Sequence, residues 1–248
     1  MLITTVGVVI REKQIGDNDK FIDVLTKDYG IIEISVKGAK KITSKNSSAT
    51  QLFAYSKFCA QKRGDKYYLN SSEPIHIFYD LRLNIEKISL AAYFAEIIQF
   101  AITSEEPSDE IIRLLLNTLH FLSASERSYE FLKSIFELRL MAEIGMMPDI
   151  VACHECSVYS TEKMFLVMND GIILCENCFD GVQSSEVVSL TPSLLHAIRY
   201  IVLTEFDKLW NFKISSETQK KLNYIAENYL LTHLDRNFKT LDFYKSIM

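Results

Sequence analysis

The stretch FIDVLTKDYGIIEISVKG, residues 21–38, decides the architecture of the first part of the chain. In its second half Ile32, Ile34 and Val36 alternate with polar residues, which is the two-residue period of a half-buried strand. Its first half is rich in β-branched residues, and the sequence DYG at 28–30 is typical of a turn. The stretch therefore predicts two strands joined by a short turn.

The surrounding residues extend this pair to five strands. Residues 1–13 predict one strand, and residues 52–61 and 66–69 predict two more, joined at Arg63-Gly64-Asp65. The connection at 39–50 is polar and lacks periodicity. Five short strands with one longer connection favour a small closed barrel of the OB type. An SH3-like barrel or a small sandwich would fit the same pattern.

A helical pattern follows residue 80. Residues 85–101 are apolar nearly all round, which predicts a helix buried on most sides. Proline and N-cap residues mark the starts of further helices. These are predicted from Pro107 to about Ala124, from about Ser128 to Glu143, from Thr191-Pro192 onward, and from Ser215 or Ser216 to about His233.

The composition excludes several classes of protein. Of the 248 residues, 48% are hydrophobic and 24% are charged, values typical of a globular protein. The sequence has no apolar run near the ~18 residues that a membrane span requires, so no membrane association is expected. The N-terminus lacks the basic region of a signal peptide, which predicts a cytoplasmic protein whose five cysteines stay reduced unless a metal binds them.

Two CxxC pairs form the most specific motif in the chain, and they consist of Cys153, Cys156, Cys175 and Cys178. The separation of the pairs is that of a zinc ribbon. Since two pairs of thiolates close a tetrahedral site with no open position, we predict one structural Zn²⁺ per chain. Between the pairs, residues 164–175 predict a hairpin that turns at Asn169-Asp170-Gly171. A redox dithiol or a chance pair of motifs is the alternative.

The sequence carries none of the common active-site motifs. We find no G-x-x-x-x-G-K phosphate loop, no G-x-G-x-x-G, no G-x-S-x-G and no H-E-x-x-H. We therefore expect no enzymatic activity. A hydrolase whose carboxylates are brought together only by folding is an alternative that the sequence leaves open.

Charge is distributed unevenly along the chain. The formal net charge is −5, yet residues 1–80 hold 12 Lys and Arg against 9 Asp and Glu. Within 37–66 a single acid, Asp65, stands against eight basic residues: Lys37, Lys40, Lys41, Lys45, Lys57, Lys62, Arg63 and Lys66. Such a local excess of positive charge favours the binding of phosphate groups, and Gly38 would let the backbone approach a phosphate closely. The alternative is that these basic residues belong to a solvated loop and a solvated sheet face that bind no ligand.

Aromatic residues accompany this basic segment. On the fourth strand, the two-residue period predicts an interior face made of Leu52, Ala54, Ser56, Phe58 and Ala60. The opposite face would present two aromatics and a lysine outward, in the series Phe53, Tyr55, Lys57, Cys59 and Gln61. Tyr67 and Tyr68 on the next strand must point to opposite faces. Basic and aromatic groups together are typical of surfaces that bind single-stranded nucleic acid.

Three stretches, in order along the chain, resemble the bacterial recombination mediators of the RecO family. They are GDNDKFIDVLTKDYGIIEISVKGAKK (16–41), ELRLMAEIGMMPDIVACHEC (137–156) and LTHLDRNFKTLDF (231–243). The resemblance implies an α+β multidomain protein with an OB fold, a helical domain and a zinc-finger insertion. The expected divisions are an OB-fold DNA-binding domain over 1–80, a helical domain over 81–149 and 183–248, and a zinc finger over 150–182.

The resemblance also implies a function. Family members bind single- and double-stranded DNA, anneal complementary strands without nucleotide hydrolysis, and work with RecR to load RecA onto DNA coated by single-strand binding protein. The family's basic DNA-contacting stretch matches Lys37, Lys40 and Lys41, and its zinc ligands match the four cysteines of the CxxC pairs. Two features depart from the family pattern: Ser157 stands where glycine commonly follows the second cysteine, and the chain is acidic overall.

The family further implies docking of the acidic, hydrophobic C-terminal tail of single-strand binding protein. In an acidic region such a tail needs a basic group at the rim of an apolar surface. Arg113, Lys133 and Arg139 on the second and third helices are the candidates for this contact. Ordinary helix-surface ion pairs, with Glu137 or Glu143 for instance, are the alternative.

The sequence thus predicts a non-enzymatic mediator of DNA repair and homologous recombination, cytoplasmic and associated with the nucleoid. Its predicted DNA-binding residues are Lys37, Lys40, Lys41, Lys45, Lys57, Lys62 and Arg63. The alternative is a zinc-stabilised protein-interaction scaffold with incidental DNA contact. A steep salt dependence of binding distinguishes the mediator from the scaffold.

Overall fold

The structure, a computed structural model, describes residues 1–39, 46–102, 109–124, 127–181 and 186–248. The chain divides into two compact units. The first unit consists of Met1–Ser125 and Phe238–Met248, and the second unit of Glu126–Asn237. None of the helices in the described ranges is long and apolar enough to cross a membrane.

Five strands of the first unit close into a barrel with the order β1-β2-β3-β5-β4. The strands are β1 (Leu2–Ile15), β2 (Asp19–Thr26), β3 (Gly30–Val36), β4 (Ala54–Arg63) and β5 (Lys66–Ile77). Neighbouring strands pair antiparallel, except that β3 and β5 pair parallel at Ile34–Tyr67 and Ser35–Tyr68. The predicted closed barrel of the OB type is confirmed, and the sandwich alternative is excluded.

The barrel interior is apolar. The alternation predicted for β3 buries Ile32, Ile34 and Val36 in one cluster with Phe58 of β4. The strands β1 and β2 approach closely at Gly7, where an added Cβ atom would lie 2.5 Å from the carbonyl oxygen of Leu25. Only glycine allows this approach, so the sequence fixes a tight point in the barrel wall.

The start of β4 differs from the sequence prediction. The predicted outward position of Phe53 is wrong, because its side chain is 2% exposed and the strand begins only at Ala54. Phe53 has a φ of 63°, and its backbone N–H donates to the carbonyl oxygen of Val9 at 2.8 Å. This left-handed residue interrupts the two-residue period, which leaves Leu52 only half-buried. From Ala54 to Ala60 every second residue is buried, as predicted.

The described helices are α1 (Ile85–Ala101), α2 (Asp109–Ala124), α3 (Tyr129–Glu143), α4 (Pro192–Leu203), α5 (Ser216–Leu234) and α6 (Lys239–Ile247). The bounds of α1 are those predicted, whereas the predicted start of α2 at Pro107 lies outside the described residues. No prediction from the sequence covered α6. This helix is fixed to α1 by Thr240, whose backbone N–H and hydroxyl donate to Glu96 at 3.1 and 2.5 Å.

Three capped helices and a small sheet form the second unit. Ser128, Thr191 and Ser215 accept hydrogen bonds from the first turns of α3, α4 and α5, as N-cap residues do. The sheet has the order β7-β6-β8, with β6 at Met164–Val167, β7 at Ile172–Cys175 and β8 at Val187–Leu190. The predicted hairpin is confirmed as β6 and β7, and β8 is an additional strand.

Candidate metal centre and nucleic-acid interface

The four cysteines of the CxxC pairs converge in the second unit. Their sulfur atoms all lie within 4.8 Å of one another, and the sulfurs of Cys156 and Cys175 are 3.7 Å apart. A tetrahedral Zn²⁺ with Zn–S bonds of ~2.3 Å requires sulfur–sulfur edges of about 3.8 Å. The predicted convergence is therefore confirmed, and the cluster has the spacing of a closed four-thiolate metal site.

Tight turns present each pair of sulfurs. The carbonyl oxygen of Cys153 accepts from the backbone N–H of Ser157 at 2.8 Å, which closes the first turn. The carbonyl oxygen of Cys175, at the end of β7, accepts from the N–H groups of Cys178 and Phe179 at 3.0 Å each. A hydrogen bond from the N–H of Cys175 to the Cys153 sulfur, 3.3 Å long, joins the two turns.

The electrostatics of the cluster favour a bound cation. Burial favours the neutral form of Cys153, but hydrogen bonds from the backbone N–H groups of Cys156 and Cys175 outweigh burial and lower the pKa of this thiol to about 6. Hydrogen bonds with Cys156 and Cys175 raise the pKa of Cys178 to about 12. A divalent cation would stabilise all four thiolates together, which is the chemistry of a structural metal site.

Ser157 has an unusual backbone conformation for its residue type. Its φ is 58°, in the left-handed region that glycine adopts most readily. In this chain a serine therefore occupies the position at which the first cysteine turn requires a left-handed residue.

A buried arginine that the sequence did not reveal supports the first cysteine turn. Arg199 of α4 is 7% exposed, and its Nε donates to the carbonyl oxygen of Ile150 at 2.7 Å. One terminal nitrogen donates to the carbonyl oxygens of Val151 and Tyr159 at 2.9 and 2.5 Å. The guanidinium also lies 4.0 Å from the centre of the Tyr159 ring. Arg199 thereby ties together the segments on either side of Cys153 and Cys156.

The hairpin between the cysteine pairs rests on α5. Gly171 has a φ of 66°, and an added Cβ atom there would lie 2.8 Å from the hydroxyl of Tyr229. That hydroxyl donates to the carbonyl oxygen of Met146 at 3.1 Å, and burial raises the pKa of Tyr229 to about 12. The close contact explains why a glycine occupies the turn.

The described part of the basic segment is concentrated at the β4–β5 hairpin of the barrel. The Lys62 ammonium lies 5.3 Å from the centre of the Tyr67 ring, and the Arg63 guanidinium 5.4 Å from that of Tyr68. Arg63 also donates to the side-chain oxygen of Gln61 at 2.7 and 3.1 Å. The hairpin therefore combines two cations with two aromatic rings, the groups that bind single-stranded nucleic acid.

The other predicted basic residues are spread around the barrel. Lys37 and Lys57 are exposed, and Lys57 stands opposite Glu73 in the β4–β5 register. The N–H of Gly38 donates to Asp19 at 2.8 Å, so it is engaged within the turn rather than directed to a phosphate. Lys40, Lys41 and Lys45 lie outside the described residues.

Two of the three basic residues predicted to bind a partner tail are buried. Lys133 is 2% exposed, and its ammonium lies 3.0 Å from Glu137 and 2.8 Å from Glu227. Burial opposes its charged form, but the two carboxylates outweigh that effect and raise the pKa of Lys133. The prediction that the Lys133 charge lies at the rim of an apolar surface is wrong. The side chain is buried, and it forms the ion pair with Glu137 that was the alternative.

Arg139 is likewise enclosed. Its Nε lies 2.7 Å from Glu143, and a terminal nitrogen donates to the carbonyl oxygen of Thr204 at 2.7 Å. The guanidinium is 4.3 Å from the centre of the Phe206 ring. The predicted rim position is wrong here too, whereas Arg113 of α2 is exposed.

A groove in the second unit crosses the first turns of α3, α4 and α5. Two adjoining cavities of about 580 and 440 Å³ share the lining residues Phe212, Lys213 and Ile214. The Phe212 ring lies 5.0 Å from Phe131 and 4.8 Å from Tyr200, which gives the groove an aromatic floor. Lys213 is exposed, and the helix N-termini add partial positive charge. The groove suits an acidic ligand with apolar side chains.

A barrel of the OB type, helices and a four-cysteine cluster placed to hold a metal together define a class of modular proteins that combine an OB-type barrel with a zinc-finger-like module. Residues 1–78 match the family described as Recombination protein O N terminal, and residues 82–242 match Recombination protein O C terminal. The chain belongs to the RecO family of DNA repair proteins.

Curated relatives match this chain along nearly their whole length. The chain is 29% identical over 245 residues to the DNA repair protein RecO of Acetivibrio thermocellus, covering 99% of this chain and 97% of that protein. It is 29% identical over 248 residues to the DNA repair protein RecO of Alkaliphilus metalliredigens, covering 100% of both. With the DNA repair protein RecO of Caldicellulosiruptor bescii it shares 26% identity over 246 residues, 99% of each chain.

Proposed function

We propose that this RecO-family protein is a non-enzymatic mediator that binds single- and double-stranded DNA through its barrel, over residues 1–80. The observation that carries the proposal is the β4–β5 hairpin, where Lys62 and Arg63 lie over Tyr67 and Tyr68. Cations attract the phosphate backbone, and aromatic rings stack on unpaired bases of any sequence. Lys37 and Lys57 extend the basic surface, and the family resemblance adds Lys40, Lys41 and Lys45.

Annealing of complementary strands follows from this surface. Two DNA strands repel each other through their phosphates, and a basic surface that contacts both reduces the cost of bringing them together. No bond is broken, so the step needs neither a nucleophile nor nucleotide hydrolysis. The reaction depends only on holding strands in proximity.

The metal centre is proposed to hold one structural Zn²⁺ through Cys153, Cys156, Cys175 and Cys178. Four thiolates leave no open coordination position, so the ion stabilises the fold and supplies no reactive water. Because the coordination is complete and the four thiolates carry negative charge, the site is also a poor contact for DNA. We assign the zinc finger over 150–182 and the helical domain over 81–149 and 183–248 to architecture and protein partners.

The proposed partners are RecR, the C-terminal tail of single-strand binding protein, and indirectly RecA, with the protein acting on cytoplasmic, nucleoid DNA. The groove around Phe212 and Lys213 is the better supported docking site for the acidic tail, because a cation and an aromatic floor adjoin there. Lys133 and Arg139 would then act by stabilising the helices that form the groove. Arg113 remains a proposed contact on its exposed surface.

Tail docking can be tested by calorimetry with an isolated acidic peptide that ends in apolar residues. Lys213→Ala should weaken binding about ten-fold or more, since a charge-assisted hydrogen bond contributes about 1.5–3 kcal/mol. Lys221→Ala, at an exposed lysine of α5, is the matched control. Full affinity in the Lys213 variant combined with a loss in Arg113→Ala would place the tail at α2 instead.

The DNA-binding function is tested by fluorescence anisotropy of labelled single-stranded DNA across a salt series. We expect log affinity to fall linearly with log salt, with a slope of roughly 0.7 for each phosphate contact. An affinity that does not depend on salt concentration would favour the protein-interaction scaffold. Absence of binding even at low salt would overturn the proposal.

A further inference from the structure

The seam between β3 and β5 opens into a cavity. Within the described residues the two strands pair only at Ile34–Tyr67 and Ser35–Tyr68, although β3 pairs with β2 along its whole length. A cavity of about 520 Å³ lies where the pairing stops, and its lining includes Tyr29, Ile31, Glu33, Lys62, Asp65 and Tyr67. Its volume falls within the roughly 300–1,000 Å³ of sites that take small organic groups.

Two aromatic rings in this seam cavity are held in place by the barrel. Tyr67 and Tyr29 are half-buried and pack against the apolar cluster inside the barrel. The N–H of Tyr29 donates to the Thr26 hydroxyl at 3.0 Å, and that hydroxyl donates to the carbonyl oxygen of Gly30 at 2.8 Å. The turn that carries Tyr29 is thus fixed without a ligand, which lowers the entropic cost of binding.

The charges around the cavity select which part of a nucleotide can enter. Glu33 and Asp65 are exposed at the lining, and their carboxylates repel phosphate but accept hydrogen bonds from amino groups. Lys62, which also lines the cavity over the Tyr67 ring, is the cation available to a nucleotide's phosphate. Cytosine presents an amino donor to carboxylates, whereas thymine presents a carbonyl oxygen at the equivalent position.

We propose that the seam cavity receives one unstacked nucleobase of single-stranded DNA and prefers a base that carries an exocyclic amino group. The inference rests on the proposed DNA-binding function of the barrel and assigns a site within it. A base of intact duplex DNA cannot enter, because it is paired and stacked and its extrusion costs a few kcal/mol. The seam cavity therefore distinguishes single strands from duplexes on a surface whose phosphate contacts serve both.

The first test compares Tyr67→Ala with Tyr67→Phe in anisotropy titrations on single-stranded and duplex DNA. Tyr67→Ala should weaken single-strand binding about five-fold or more and weaken duplex binding less, because paired bases do not enter the cavity, and Tyr67→Phe should behave like wild type. Unchanged single-strand binding in Tyr67→Ala would overturn the inference while leaving the proposed function intact. Wild-type protein that binds neither DNA would instead overturn the proposed function.

The second test leaves the packed interior of the barrel untouched, because it changes two exposed side chains. Wild-type protein should bind oligo-dC about five-fold more tightly than oligo-dT of equal length, and the double variant Glu33→Gln with Asp65→Asn should lose most of that preference. The same double variant should bind duplex DNA at least as tightly as wild type, since two negative charges are removed. Equal wild-type affinity for the two oligonucleotides, or an unchanged preference in the variant, would overturn the base assignment.

Discussion

The two units of the protein are stabilised by different chemistry. The central cluster of the barrel is made of apolar side chains; Lys20 is buried in an ion pair with Glu12, whereas Lys62 and Arg63 of the β4–β5 hairpin are half-exposed and exposed. The second unit encloses two cations within its helices: Lys133 between Glu137 and Glu227, and Arg139 against Glu143. The difference teaches that the basic residues of the β4–β5 hairpin are accessible to a ligand, whereas Lys133 and Arg139 are used by the fold itself.

The largest expected effect comes from removing the metal ligands. Cys175→Ala or a strong chelator should unfold the segment around the cysteines, because structural zinc contributes about 10–16 kcal/mol to folding of isolated zinc fingers. Hydrogen exchange should show lost protection across 150–180 and retained protection in the barrel strands. Cys59→Ser, at the half-buried cysteine of β4, is the matched control. Equal loss of protection in both units would contradict the separation between them.

The next largest effect is expected for the buried ion pair. Lys133→Ala should reduce the free energy of unfolding by about 3–5 kcal/mol, because it leaves the buried Glu137 and the half-buried Glu227 without their shared cation. The control is Lys221→Ala, which removes an exposed pair with Glu217 at the same four-residue spacing and should cost about 0–1 kcal/mol. Chemical denaturation measures both values. Similar costs for the two variants would show that burial does not set the strength of these pairs.

The pH dependence of the same pair has a defined sign. The pKa of Lys133 is raised in the folded protein, so its contribution is complete below the ordinary lysine pKa of about 10.4 and declines only as the pH rises further through the raised value. The difference in unfolding free energy between wild type and Lys133→Ala should therefore be the same at neutral pH and at pH about 9. A difference that vanished over this interval would contradict the assignment of the charge.

A smaller effect is expected at the arginine beside the metal centre. Arg199→Lys keeps the charge but cannot supply the guanidinium donors that reach Ile150, Val151 and Tyr159. The buried carbonyl oxygen of Ile150, left unpaired, costs about 1–3 kcal/mol, so thermal unfolding should occur several degrees lower. Arg113→Lys on the exposed face of α2 is the control. An unchanged melting temperature in Arg199→Lys would mean that Arg199 does not support the cysteine turn.

The smallest expected effect is a gain in stability. Ser157→Gly should stabilise the protein by about 0.5–1 kcal/mol, because glycine adopts the left-handed conformation of this turn without steric cost. Ser160→Gly, at a nearby exposed residue outside that conformation, should be neutral or slightly destabilising. Denaturant midpoints of the two variants give the comparison, and a loss of stability in Ser157→Gly would show that the serine makes a contact worth more than the strain.

The sequence predicted the elements that carry a strong local signal. The alternation in β3, the apolar run of α1 and the N-caps Ser128, Thr191 and Ser215 each depend on neighbouring residues, and the structure has all of them. The two CxxC pairs were equally readable, because metal ligands impose a fixed spacing along the chain. Helix α6 carries no comparable signal, since its attachment to Glu96 depends on a residue far away in the sequence.

Functional assignment of single residues needed the fold. An i, i+4 pair of lysine and glutamate reads the same in the sequence whether it is exposed, as Lys221 and Glu217 are, or buried, as Lys133 and Glu137 are. Arg199 gave no signal because its partners are backbone carbonyl groups, which every sequence contains. Phe53 was misplaced because one left-handed residue shifts the alternation of a whole strand end.

The most direct test of the barrel as the DNA-binding surface is the salt dependence of single-strand binding in the double variant Lys62→Ala with Arg63→Ala. If each residue makes one phosphate contact, the slope of log affinity against log salt should become shallower by roughly 1.4, and affinity at low salt should fall. Lys208→Ala with Lys221→Ala, two exposed lysines of the second unit, should leave both quantities at their wild-type values. A wild-type slope and affinity in the hairpin variant would contradict DNA binding at the β4–β5 hairpin.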